Sequence, residues 1–189
     1  MATDVISLIT ADHRDVESLF ERLQKMPENR PALLAELAAK FIAHARAEED
    51  KVYSALAKAR PEDRQEVHHG EEEHHEAEEI LSALLQADPD GPEFDTLLQE
   101  MVEAVSHHVQ EEETEILPDL AKALPPEKLA ELGRVFSRRK AEELQTPPKP
   151  LVRTKEQLLE KAEELDIPGR AQMTKDELLK AIKAKKQQQ

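Results

Sequence analysis

Apolar residues return every three or four positions along most of this chain, the spacing that gives an α-helix one buried face. Val5, Leu8, Ile9, Val16, Leu19, Phe20 and Leu23 predict a first helix, capped by Thr3 or Asp4 and stopped near the Pro27 to Pro31 stretch. A second helix starts after Pro31 and runs to about Arg60. Pro61 suits the first turn of a third, which continues to about Gln86. The segment Ala87-Asp-Pro-Asp-Gly-Pro92 is a turn signal. A fourth helix runs from about Pro92 to Ala123, with Pro118 expected to kink or interrupt its last turns. Pro125-Pro126 opens a shorter fifth helix to about Leu144. The fold class is all-α. Four long helices joined by short loops favour an antiparallel, up-down-up-down four-helix bundle over residues 1–145.

Thr146-Pro-Pro-Lys-Pro150 reads as a stiff linker over residues 146–150. Beyond it, in residues 151–189, Thr154-Lys-Glu-Gln157 and Thr174-Lys-Asp-Glu177 are capping boxes that mark two short helices. A loop at Ile167-Pro-Gly-Arg170 separates them.

Composition sharpens the picture in three ways. The chain has 4 Gly, no Cys and no Trp among 189 residues, so strong helix formers dominate and thiolate metal sites and disulfides are excluded. No charged-then-apolar leader and no run of ~18 apolar residues occurs, which predicts a soluble, cytoplasmic protein with no membrane partner. Residues 1–148 carry 16 Lys and Arg against 34 Asp and Glu, a net of −18, whereas residues 149–189 carry 10 against 7, a net of +3. All eight His lie in the acidic part. An acidic body repels nucleic acid and suits cations, metals included.

The histidines carry the chemistry. Positions four apart on a helix lie ~40° apart on one face. On the second helix, Leu34, Leu37, Phe41, Val52 and Ala55 define the inward stripe; His44 and Glu48 fall within it and Glu49 at its edge. On the fourth, Phe94, Leu98, Met101, Val105 and Ile116 define the stripe; His108 and Glu112 fall within it and His107 points away. The segments His44-Ala-Arg-Ala-Glu48-Glu49 and His108-Val-Gln-Glu-Glu112-Glu113 are thus one pattern written twice. His13 sits among Ile9, Val16 and Phe20, and His74 lies beside the stripe of Ala77, Ile80, Leu81 and Leu84. His68, His69, His75 and His107 are expected to face solvent, and Tyr53 to lie off the ligand face. Two buried carboxylates ask for a compensating cation, the alternative being an interior polar network without metal. Four imidazoles and two carboxylates form a donor set that suits iron or manganese best, with zinc possible. In this reading His13, His44, His74, His108, Glu48 and Glu112 bind metal, the two glutamates bridging a pair of ions.

With Asp12-His13 on the first helix, the two His-x-x-x-Glu-Glu segments, and Glu73-His74 on the third, residues 4–135 resemble the hemerythrin family. The likeness is to its bacterial group with the His-His-Glu cation-binding signature. The resemblance implies a four-helix bundle with two Fe ions joined by an oxo or hydroxo bridge. It makes His13, His44, His74 and His108 terminal ligands, and Glu48 and Glu112 bridging carboxylates. Oxygen carriers of the family have a His-x-x-x-His pair on the third helix, but Gly70 stands four residues before His74 here. Water, Glu71 or Tyr53 then fills that position. The functions implied are binding or sensing of O2 or nitric oxide, catalase-like or nitric-oxide-handling di-iron catalysis in a stress response, or iron sensing. A purely structural adaptor is the alternative outside metal chemistry.

Leu158-Leu159-Glu-Lys-Ala-Glu-Glu-Leu165 and Met173-Thr-Lys-Asp-Glu-Leu178-Leu179 resemble the small N-terminal module of the Rho transcription terminator, related to SAP-type domains. That likeness implies a nucleic-acid or protein partner for residues 151–186. Lys175, Lys180, Lys183, Lys185 and Lys186 are the candidates for phosphate contact.

Overall fold

A computed structural model describes residues 3–149 and 153–186, and among them every regular element is a helix. The helices are α1 Val5–Lys25, α2 Arg30–Ala47, α3 Ser54–Ala59, α4 Arg64–Leu84, α5 Pro92–Glu111, α6 Leu117–Ala123, α7 Pro126–Glu143, α8 Lys155–Glu164 and α9 Lys175–Lys186. The chain divides into two compact units, Met1–Pro150 and Leu151–Gln189. No helix among the described residues is long and apolar enough to cross a membrane.

Local chemistry sets the boundaries. The Asp4 carboxylate accepts the Ser7 amide N–H at 2.9 Å and caps α1. Pro31 and Pro92 sit in the first turns of α2 and α5, where the missing N–H has no intrahelical acceptor to lose. The long second and fourth helices read from the sequence are each interrupted. α2 passes into α3 through a π-helical segment, Glu48–Tyr53, and α5 into α6 through another, Glu112–Ile116. The Thr114 hydroxyl donates to the Gln110 carbonyl at 2.7 Å and the Ser54 hydroxyl to Glu49 O at 3.3 Å, bonds that loosen an α ladder. The interruption expected near Pro118 is present: the residue falls within the first turn of α6, directly after the π segment.

Two apolar clusters fill the first unit. One gathers Leu19, Leu23, Leu37, Phe41, Leu81, Phe94 and Met101; the other gathers Val5, Ile9, Val52, Leu56, Leu117, Leu120 and Phe136. α1 meets the second cluster at Ile9 and the first at Val16; α2 meets the first at Phe41 and the second at Ala47. α4 goes from the second at Val67 to the first at Ala77, and α5 stays with the first through Val109 before Ile116 of the following π segment joins the second. His13, His44 and His74 lie at the changeover, and His108 lies in the last turns before it. A polar layer therefore lies between two oily ones. α7 packs along α1 and α2 and lends Phe136 to the second cluster.

The second unit has its own core of Leu158, Ala162, Ile167, Leu178 and Ile182. Thr154 and Gln157 form a full capping box at the start of α8. Thr174 and Glu177 exchange the equivalent bonds before α9, at 2.7 and 3.3 Å. Gly169 turns the connection with φ of 74°, a backbone conformation glycine adopts without steric cost.

Gly133 lets α7 approach the start of α1. A Cβ there would lie 2.7 Å from the Thr3 carbonyl oxygen and 3.1 Å from the Val5 nitrogen, both backbone atoms that cannot swing aside. Overpacking costs about 1–3 kcal/mol, more than the ~1 kcal/mol that alanine gains over glycine in a helix. Gly133→Ala is therefore expected to lower the Tm in a thermal melt; an unchanged or higher Tm contradicts this contact.

Candidate metal centre

The six residues read from the sequence meet in one place. Glu48 and Glu112 are 0 % exposed, and His13, His44, His74 and His108 are buried around them. Three overlapping groups, His13-His44-Glu112, His44-Glu48-His74 and Glu48-His108-Glu112, bring their ligand atoms within 4.8 Å of one another.

Each imidazole faces both ways. Its Nε2 turns inward: His13 to Glu112 at 3.1 Å, His44 and His74 to Glu48 at 3.3 and 3.5 Å, His108 to Glu112 at 3.9 Å. Its Nδ1 turns outward onto a further carboxylate: Asp12 for His44 at 3.2 Å, Glu49 for His74 at 3.0 Å, Glu73 for His108 at 2.9 Å and Glu113 for His13 at 2.8 Å. An ionised carboxylate only accepts, so each Nδ1 must carry the proton. In a neutral ring this leaves the Nε2 lone pair aimed at the centre.

These outer bonds close a ring around the bundle. α1 supplies Asp12 to the histidine of α2, and the segment after α2 supplies Glu49 to that of α4. α4 in turn supplies Glu73 to α5, and the segment after α5 supplies Glu113 to α1. Sequence reasoning missed the role of these four carboxylates. The available signal was an acid directly before His13 and His74 and directly after Glu48 and Glu112. The outer acids are themselves held by cations. Lys140 of α7 donates to Asp12, and Arg14 donates to Glu113 at 2.6 and 2.7 Å.

Tyr53 corrects an expectation. It is 0 % exposed, its ring stacks on that of His74 at 5.9 Å and 9°, and its hydroxyl occupies the space beside Gly70. A Cβ on Gly70 would lie 2.7 Å from that oxygen. Five residues along an α-helix turn the chain ~140° off the starting face. A π segment closes i to i+5 and brings Tyr53 back to the side of Glu48. Glu71, the other side chain considered for this position, pairs outward with His68 at 3.8 Å. His68, His69 and His107 are exposed as expected, but His75 is half-buried.

The electrostatics is that of an unneutralised site. Burial and the charge of Glu112 push the Glu48 carboxyl up to about 7. Burial alone would lower the His44 ring, but Glu48 and Asp12 beside it reverse the sign and raise it to about 10. Burial, with His108 and His44 nearby, holds His74 well below the usual imidazole range. Burial and the carboxylates of Glu112 and Glu48 raise the Tyr53 phenol well above its ordinary value. The inward Nε2 of all four histidines and both oxygens of Glu48 and Glu112 lack hydrogen-bond partners. So many buried orphan atoms at one point would be prohibitive for a permanent polar network.

The family model described as "Hemerythrin HHE cation binding domain" matches residues 4–120. This chain belongs to the hemerythrin HHE cation-binding family. A hemerythrin HHE cation binding domain-containing protein from Mycobacterium kansasii has a similar crystal structure, with a TM-score of 0.68 and 21 % identity, covering 95 % of this chain and 99 % of that one. At that identity the likeness shows the fold. A DNA nickase from Nostoc sp. strain PCC 7120 is 26 % identical over 141 residues, 73 % of this chain and 39 % of that protein. The hemerythrin-type chain thus spans about two fifths of that curated relative.

Cation uptake by this centre has a proton cost with a defined sign. The proton that Glu48 holds up to about pH 7 and the second proton that His44 holds up to about 10 must leave before those atoms can ligate. Ferrous iron added anaerobically at pH 7 is expected to release protons in a pH-stat, and its affinity to fall from pH 8 to pH 6. No proton release, or tighter binding at pH 6, contradicts this electrostatic reading.

Proposed function

We propose that this chain is a non-heme di-iron protein that binds or reacts with O2, peroxide or nitric oxide. Glu48 and Glu112 bridge the two ions, and His13, His44, His74 and His108 cap them through Nε2. The observation that carries this is the convergence of four orphan imidazole nitrogens and four orphan carboxylate oxygens in one buried layer. Oxygen and nitrogen donors without thiolate suit iron, and two carboxylates offset much of the charge of two such ions. We read the bundle itself as up-down-up-down, since successive long helices traverse the two apolar clusters in alternating order.

Bound iron would supply one-electron exchange with a small oxidant. The protein supplies the rest. The outer carboxylates fix the tautomer and aim of every imidazole. Tyr53 replaces the histidine that oxygen carriers place at the position of Gly70, and its phenol keeps its proton beside the site at neutral pH. A small pocket lined by Asp12, His13, His44, His108 and the apolar Val16, Phe41, Val105 and Val109 adjoins the centre and has room for about one water-sized ligand. A retained hydroxyl proton beside the buried acids favours peroxide chemistry over plain oxygen carriage, the second form of this proposal. Stopped-flow mixing of the ferrous chain with O2 and then peroxide separates the two. A reversible oxygenated spectrum supports binding, and sustained oxygen release from excess peroxide supports the enzyme.

We extend the proposal to the second unit as a Rho N-terminal or SAP-like module that docks nucleic acid or a protein partner in the cytoplasm. The name of the Nostoc relative makes DNA the nucleic acid to try first. Lys175, Lys180 and Lys185 are the described candidates; the side chains of Lys183 and Lys186 lie outside the described residues. A salt-dependent gel shift by the full chain supports this reading, and no shift at low salt points to a protein partner.

His108→Ala and Glu112→Ala are expected to weaken iron retention after anaerobic reconstitution by about tenfold or more, since losing even a ligand's supporting partner costs roughly 10–100-fold in metal affinity. His68→Ala, exposed on α4, is expected to leave it within error. Equal loss in all three, read by elemental analysis, contradicts the ligand assignment.

A further inference from the structure

Three of the four outer carboxylates are answered by a fixed cation. Asp12 has Lys140, Glu113 has Arg14, and Glu49 feels the charge of Arg46. Glu73 is met by imidazoles instead. Its Oε2 accepts from the buried His108, and its Oε1 faces the Nε2 of His69 at 3.8 Å and of His107 at 3.7 Å. Glu111 stands on the other side, 3.3 Å from His69 Nε2 and 3.1 Å from His107 Nε2. None of the ligands proposed above for the buried centre belongs to this set.

We infer that His69, Glu73, His107 and Glu111 form a second, surface cation site over the seam between α4 and α5, built for a four-coordinate divalent transition metal of the zinc type. The distances favour it. Ligand bonds of ~2.1 Å in a tetrahedron place donor atoms ~3.4 Å apart, and the four separations between imidazole and carboxylate run from 3.1 to 3.8 Å, with Glu111 turning Oε2 to His69 and Oε1 to His107. The donor atoms of His69, Glu73 and Glu111 already lie within 4.8 Å of one another. The histidines are 58 % and 63 % exposed, so their rings are free to turn toward one shared oxygen of Glu111. Glu73 is only 11 % exposed and anchored by His108, so one ligand is preset.

The chemistry selects the occupant. Two imidazoles and two carboxylates with no thiolate bind borderline divalent ions, and the two carboxylate charges offset those of one dication. The exposed position gives such an ion direct access from solvent. Glu73 links the two sites physically, because one oxygen faces the surface cation while the other orients His108 at the buried centre.

Cobalt serves as the probe, since it shares zinc's coordination preference and reports it optically. The full iron-loaded chain and its His69→Ala/His107→Ala variant are dialysed against Co2+, and both metals are counted. The wild-type chain is expected to retain one more cobalt per chain than the double variant, with visible bands of four-coordinate Co2+ that bleach on adding Zn2+. Equal cobalt in the two proteins, or no bleaching by Zn2+, overturns the site. The difference between the two proteins is independent of what fills the buried centre. An iron-poor chain that keeps this difference would sink the di-iron proposal and leave the surface site standing.

Discussion

Two like charges turned toward each other in a dry interior constrain this whole structure. Glu48 and Glu112 bury all four of their oxygens without a hydrogen bond, a state that burial and mutual repulsion both oppose. The cost of an uncompensated buried carboxylate is several kcal/mol, a large share of the 5–15 kcal/mol that holds a typical domain together. A folded bundle that keeps both acids inward needs positive charge at that point. The histidines answer this unevenly: His44 and His108 are raised by the carboxylates beside them, whereas burial and its imidazole neighbours hold His74 neutral, and both acids keep orphan oxygens.

The rest of the polar layer is arranged around that need. Every imidazole spends Nδ1 on an outer acid from a different segment of the bundle and keeps Nε2 for the centre. Each helix thereby orients the next helix's histidine, and the ring ties four helices through hydrogen bonds that also fix the tautomers. The two apolar clusters on either side hold the layer in register, since a shift of α1 by one residue would take His13 from the changeover between Ile9 and Val16. The π segments begin at Glu48 and Glu112 themselves. Such segments are energetically poor and are found mostly at functional sites, where they re-aim side chains that an α-helix would scatter.

Most of the fold could be read from periodicity. The helix starts at Asp4 and Pro92, the turn before Pro92 and the two capping boxes all depend on short-range chemistry that the sequence displays. The inward six residues were also legible, because His44, Glu48, His108 and Glu112 interrupt apolar stripes at matching phase. What escaped was whatever broke the α period. Tyr53 was assigned to the wrong face because a constant ~100° per residue does not survive a π turn. The roles of Asp12, Glu49, Glu73 and Glu113 stayed hidden for a different reason. In a chain with 41 acidic residues, an acid beside a histidine looks like solvated surface until three-dimensional partners are known. The packing of α7 onto α1 and α2, with Lys140 behind Asp12, likewise depends on tertiary contact that no local pattern encodes.

The central claim is that two cations neutralise Glu48 and Glu112 between four imidazoles. Its most direct test is a crystal of the iron-reconstituted chain, measured on both sides of the iron absorption edge. About two iron peaks are expected between Glu48 and Glu112, each within ~2.3 Å of a histidine Nε2. A well-ordered bundle with the same six side chains turned inward, and no iron density among them, would contradict it.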